Sequence, residues 1–98
     1  MRLALIALAS LSIGTGAMAA DTAASRLTLV DSSRAPSSST IIDGASWRCD
    51  GAECTATGGS NQPATRACRR VVQRLGQVTA FTYRGTTLSA QQLATCNG

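Results

Sequence analysis

The sequence predicts an α+β domain: a small antiparallel sheet packed on one main helix, with a short C-terminal helix and two disulfides. Three observations carry this. Cys49 and Cys54 bracket the turn formers Asp50-Gly51-Ala52-Glu53, as in a hairpin that sets two sulfurs opposite each other. Pro63 to Leu75 repeats apolar residues at helical spacing and stops at Gly76. Cys68 lies on that helix, and Cys96 ends a second helical segment near the C-terminus.

Directly opposed strand positions bring Cβ atoms to about 4.5–5.5 Å, near the roughly 3.5–4.5 Å that a disulfide requires. A two-residue turn at Asp50-Gly51 is a strong local hairpin signal, but it would pair Cys49 with Ala52. A loop from Asp50 to Glu53 gives both sulfurs a partner and is the expected form.

Compartment decides what the cysteines are. Met1 to Ala19 has a one-residue basic start at Arg2, an apolar run from Leu3 to about Ile13, and the small-x-small site Ala17-Met18-Ala19. This is the pattern of a removed secretory signal peptide, and the run is too short for a membrane span of about 20 apolar residues. Residues 1–19 are therefore expected to be cleaved, leaving a periplasmic or secreted chain that starts at Ala20 and has no transmembrane anchor. Cleavage removes Arg2 and lowers the formal charge of +4 by one. Four cysteines in an oxidising space read as two disulfides. Zinc is disfavoured because the chain has no His, and Cys68 and Cys96 stand far apart. No Cys-x-x-Cys motif supports thiol exchange.

After the cleavage site, residues 20–39 read as a flexible N-terminal segment and Ser-rich linker. Within them Arg26 to Val30 alternates weakly and is a candidate strand. Asp31 to Thr40 holds five Ser and nothing apolar larger than Ala35 and Pro36, too little to fix its own conformation. If Leu27 to Val30 pairs with the rest, this stretch is a long crossing connection; if not, the folded unit begins at Thr40. Residues 40–98 are expected to form the compact domain.

Thr40-Ile41-Ile42-Asp43 opens that domain, and Gly44 interrupts it as a bulge or turn would. Ala45, Trp47 and Cys49 then alternate with Ser46, Arg48 and Asp50, and Cys54 and Ala56 return on the same face. Trp47 is expected in the core rather than in a ligand site. Pro63 suits the first helical position. Ala67, Cys68, Val71, Val72 and Leu75 make one apolar stripe, with Arg66, Arg69, Arg70 and Gln73 opposite. Gln77 to Tyr83 suits a strand with Thr79, Phe81 and Tyr83 on one face, and Arg84-Gly85 turns the chain. Ser89 with Gln92 forms a capping box, and Leu88 is placed to staple against Leu93. Cys96, ending this helix, is paired with Cys68.

Trp47-x-Cys49, Gly51, Cys54-x-Ala56, a Cys68-Arg69-Arg70 helix ending in Gly76-x-Val78, Phe81, Gly85-x-x-Leu88 and a terminal Cys96-Asn97 form a pattern. It resembles a small uncharacterised family of secreted alphaproteobacterial four-cysteine proteins, over about residues 41–97. The resemblance implies export and a two-disulfide domain, and it carries over no active site.

Catalysis has few materials. The sequence has no His for general-base work, Asp50 and Glu53 flank a turn where carboxylates are ordinarily solvated, and Ser is abundant only in the linker. No enzyme activity, cofactor or metal is expected. Arg66, Arg69 and Arg70 fall within about a quarter of the helical wheel, with Arg74 at its edge, and form a cationic ridge opposite the core stripe. Arg presents a fork suited to phosphate and carboxylate. Nucleic acid is not expected, because no aromatic residues interleave with the charges. The expected function is a non-enzymatic envelope interaction or structural module. The alternative is an anion-binding module that uses the ridge on envelope lipid, peptidoglycan or an acidic partner.

Overall fold

Leu27 and Leu29 settle the architecture. In the computed structural model, which describes residues 24–98, they lie at 2% and 3% exposure on a strand, β1 (Ser25–Leu29), with a neighbour on each side. The other elements are β2 (Thr40–Ile42), β3 (Ala45–Asp50), β4 (Glu53–Gly58), α1 (Ala64–Leu75), β5 (Val78–Tyr83), β6 (Thr86–Thr87) and α2 (Ala90–Asn97). They form one six-stranded antiparallel sheet in the order β2-β3-β4-β1-β5-β6. Both helices pack on a single face of it, so the protein is α+β.

The folded unit therefore includes Ser25–Leu29, ahead of the Thr40 boundary expected from composition. The correction has a plain cause: Leu27 stands opposite Cys54 of β4 and Phe81 of β5, and no other segment fills the space between those strands. Residues 30–39 are then the crossing connection. They hold a single 3-10 turn, Ser32–Arg34, in which Asp31 Oδ1 accepts from the Ser33 amide at 3.0 Å and the Ser33 hydroxyl at 2.6 Å. The leader expected at residues 1–19 lies outside the described residues.

Three tight turns set the register. Asp43 and Gly44 both have positive φ, 49° and 82°, as the type I′ turn of a two-residue hairpin demands. The glycine is thus the tip of a β2–β3 hairpin. Between β3 and β4 the turn is Gly51-Ala52, with Asp50 opposite Glu53 and Cys49 opposite Cys54. That is the expected cysteine register on a shorter loop. Arg84 and Gly85, at 48° and 89°, repeat the type I′ geometry between β5 and β6.

One face assignment is corrected in β5. Leu29 pairs with Val78 while Thr28 pairs with Ala80, so Thr79 is an extra residue and the strand carries a bulge there. The bulge flips the phase. Val78 joins Phe81 and Tyr83 in the core, and Thr79, expected on the same face as those two, faces out. Trp47 is buried at 1% exposure with its ring centroid 6.0 Å from that of Phe81, which makes it a core residue.

On α1, Ala64, Ala67, Cys68, Val71 and Leu75 are buried and Val72 lies at the edge of the stripe. Pro63 is the N-cap, one residue ahead of its expected place, and gives no side-chain cap. Gly76 ends the helix at φ 95°, and a Cβ there would meet Arg34 Nε at 3.2 Å. On α2 the capping box is formed: Ser89 Oγ accepts from the Gln92 amide and Gln92 Oε1 from the Ser89 amide. Cys49 is bonded to Cys54, and Cys68 to Cys96. The second bridge ties α1 to α2 through two buried cysteines. Among the described residues no helix is long and apolar enough to cross a membrane.

Candidate functional site

The amphipathic spacing of α1 presses its apolar stripe on the sheet and turns its arginines to solvent. Arg66, Arg69, Arg70 and Arg74 are all exposed. The helix face does not present them equally, because its two flanks have different neighbours.

On the flank towards β2 and β3, the Asp43-Gly44 turn brings a carboxylate to the helix. Arg70 Nε donates to Asp43 Oδ2 at 3.2 Å, Arg70 Nη2 reaches Oδ1 at 3.4 Å, and Gln62 Nε2 donates to Oδ2 at 3.2 Å. The Gln62 hydrogen bond, followed by the Arg70 guanidinium, holds the Asp43 carboxyl below its ordinary range. This is the only ion pair within 4 Å among the described residues. Arg66, Arg69 and Arg74 have no carboxylate of the described residues that close.

On the other flank, Arg69 lines a groove of about 330 Å³ between the helices, with Thr65, Gln91, Gln92 and Thr95. Thr65 and Gln92 also line a second hollow of about 520 Å³ at the start of α1, which reaches Tyr83 and Arg84. The walls mix neutral hydrogen-bonding groups with the apolar Pro63, Ala64, Leu88 and Cys96, and each hollow carries one arginine. Arg84 is itself steadied by donating to the Gly59 carbonyl at 3.1 Å, and Tyr83 Oη donates to the Ser60 carbonyl at 2.6 Å. The uncapped first turn of α1 adds its amides to this positive end.

The structure thus brings Arg66 and Arg69 together on one open surface and ties Arg70 to Asp43. Periodicity alone missed Asp43 and Arg84. The Asp-Gly pair at 43–44 is itself a hairpin signal that places a carboxylate at a turn, but which helix the turn touches is a tertiary fact.

Residues 9–98 match a family of unknown function, DUF8200. The chain belongs to that family. No curated protein and no solved structure matches it. The matched span takes in the four cysteines and the arginine face, and it assigns no chemistry to any of them.

Proposed function

We propose that this DUF8200 protein is an exported, non-catalytic module of the cell envelope that holds anionic groups against the outer face of α1. The observation that carries the reading is that Arg66, Arg69 and Arg74 stand on one exposed helix surface with no carboxylate of the described residues within 4 Å. A guanidinium so placed keeps its donors for a phosphate or carboxylate of lipid, peptidoglycan or an acidic partner. The arginine-bearing groove beside it adds neutral donors and acceptors that suit the same oxygens. Two disulfides, four cysteines in all, fit an oxidising compartment.

The test is retention on vesicles containing anionic lipid and on isolated peptidoglycan. Each cation near an anionic surface contributes about 1 kcal/mol at moderate salt. Replacing Arg66, Arg69 and Arg74 by Gln should then weaken retention on the order of 100-fold at low salt, and high salt should have the same effect on the unaltered protein. Unchanged retention in the triple variant sinks the reading.

A further inference from the structure

The face of the sheet turned away from the helices has no role in the reading above. Strand register fixes what it carries. Arg48 stands opposite Thr55, Thr55 opposite Arg26, Arg26 opposite Thr82, and Thr82 opposite Thr87. Opposed residues project to the same side of a sheet. Their chain neighbours Trp47, Ala56, Leu27 and Phe81 are buried, so this row points outward. It crosses β3, β4, β1, β5 and β6 in one line. Its two arginines are separated by two inter-strand spacings, roughly 10 Å, the scale of a disaccharide in an extended chain.

Two shallow hollows lie on this face. One, of about 370 Å³, is lined by Ser39, Ser46, Arg48, Thr55 and Thr57. The other, of about 340 Å³, is lined by Arg26, Thr28, Thr82, Thr87 and Glu53. Each sets a single guanidinium among hydroxyls. No carboxylate of the described residues lies within 4 Å of Arg26 or Arg48. Glu53 already accepts from the Thr28 hydroxyl at 3.1 and 3.2 Å. Opposite Asp50, it forms an acidic row beside the arginine row, which steers an anionic chain along the arginines and away from the hairpin tip.

We propose that this face binds an extended acidic polysaccharide carboxylated on its sugar rings, with one carboxylate at Arg26 and one at Arg48. Carboxylate suits the guanidinium fork, and ring hydroxyls, each donor and acceptor, match the Thr and Ser hydroxyls around it. The face suits a membrane poorly, since its one exposed large apolar side chain is Ile41 on the edge strand β2. It suits nucleic acid poorly as well, since Trp47, Phe81 and Tyr83 are buried and its described residues present no ring for a base to stack on. The site is on the opposite side of the sheet from α1 and stands or falls independently of the helix face.

Affinity electrophoresis of the oxidised protein through polygalacturonate, against its methyl-esterified counterpart, tests this at low salt. Retention is expected in the acidic polymer alone. Arg26→Gln with Arg48→Gln should weaken it by about tenfold or more, the scale of losing charge-assisted hydrogen bonds. Thr55→Val with Thr82→Val, which keeps β-branching and so the strands, should weaken it severalfold. Arg26→Lys with Arg48→Lys keeps the charge, loses the fork and should also weaken it, which separates binding from any effect of Gln on folding. The losses from the Arg26 and Arg48 variants should be of the same size in a protein that already carries Arg66→Gln, Arg69→Gln and Arg74→Gln, and their disappearance in that background overturns the proposal. The proposal is overturned by no retention, by equal retention on the methyl ester, or by loss in the arginine variants without loss in the threonine pair. Binding that moves to anionic vesicles or single-stranded nucleic acid with the same dependence on Arg26 and Arg48 overturns it too.

Discussion

Arg70 on α1 is bound to Asp43 at the tip of the β2–β3 hairpin, Nε to Oδ2 at 3.2 Å, so one arginine of the helix face serves the fold. Asp43→Asn removes the charge and keeps a residue that tolerates the left-handed backbone of this position, φ 49°. Arg70 is then released to solvent. If the α1 face holds anions, this variant gains affinity for anionic vesicles by about fivefold at low salt, the effect of one further cation. Co-sedimentation measures it, and a variant that binds no better than the parent counts against the helix face.

The same pair makes stability depend on pH in a stated direction. Asp43 is held below its ordinary value first by the hydrogen bond from Gln62 and then by Arg70. A carboxyl with a depressed folded value contributes stability that is complete above its unfolded value, about 3.9. That contribution disappears as pH falls through the folded value. The Tm of the parent should therefore exceed that of Asp43→Asn by a small, constant margin at neutral pH, and the margin should close on acidification below about pH 4. A margin that persists in strong acid would assign Asp43 a purely conformational role in the turn.

Cys68 and Cys96 link two helices, and Cys49 and Cys54 link two strands already paired by a tight turn. Loop-closure entropy assigns about 3.5 kcal/mol to the long bridge and about 2 kcal/mol to the short one. α2 spans only eight residues, too few to hold as a helix without tertiary support. Replacing Cys68 and Cys96 by Ala should therefore lower urea stability more than replacing Cys49 and Cys54. The short bridge is the more accessible, since Cys49 is half-buried whereas Cys68 and Cys96 are buried. Graded reduction with alkylation and peptide mass mapping should label Cys49 and Cys54 first. Earlier labelling of Cys68 and Cys96 would show that α2 opens before the hairpin is attacked.

Local signals made the helices, the cysteine hairpin and the α+β class legible. Each rests on contacts near in sequence: the stripe from Ala67 to Leu75, the Ser89 and Gln92 cap, the Cys49 and Cys54 register. What escaped was non-local. β1 is a five-residue strand beside a Ser-rich stretch, and its place between β4 and β5 depends on partners more than twenty residues away. The bulge at Thr79 is invisible to strict alternation because it appears only where Leu29 meets Val78. The arginine face was legible as a pattern, but the carboxylate that claims Arg70 arrives through the packing of a hairpin on a helix. The outer row of Arg48, Thr55, Arg26 and Thr82 needed the sheet order before it existed as a surface.

Asn97 closes a gap in that sheet. β6 covers only Thr82 and Tyr83 of β5, so the opening residue Val78 has no strand on that side. The Asn97 side chain takes its place: Oδ1 accepts from the Val78 amide at 2.9 Å, and Nδ2 donates to the Val78 carbonyl at 2.7 Å. One side-chain amide thus satisfies a backbone donor and a backbone acceptor, and it locks the end of α2 to the strand. Asn97→Asp is nearly isosteric, yet when ionised it has no donor and sets an anionic oxygen against a carbonyl. Leaving such groups unmatched costs about 1–3 kcal/mol. The loss should exceed that in Asn97→Ala, which leaves the backbone groups of buried Val78 without this partner but sets no charge against them. A protonated Asp regains one donor and one acceptor, and the folded state disfavours its anion, so the Asn97→Asp deficit should shrink as pH falls through that carboxyl's raised folded value and be least below the unfolded value of about 3.9, whereas the Asn97→Ala deficit should not. Hydrogen exchange gives the local readout: the Val78 amide should exchange faster in both variants at neutral pH. An unchanged Val78 rate in Asn97→Ala would mean that the disulfide from Cys96, and not the amide of Asn97, holds α2 to β5.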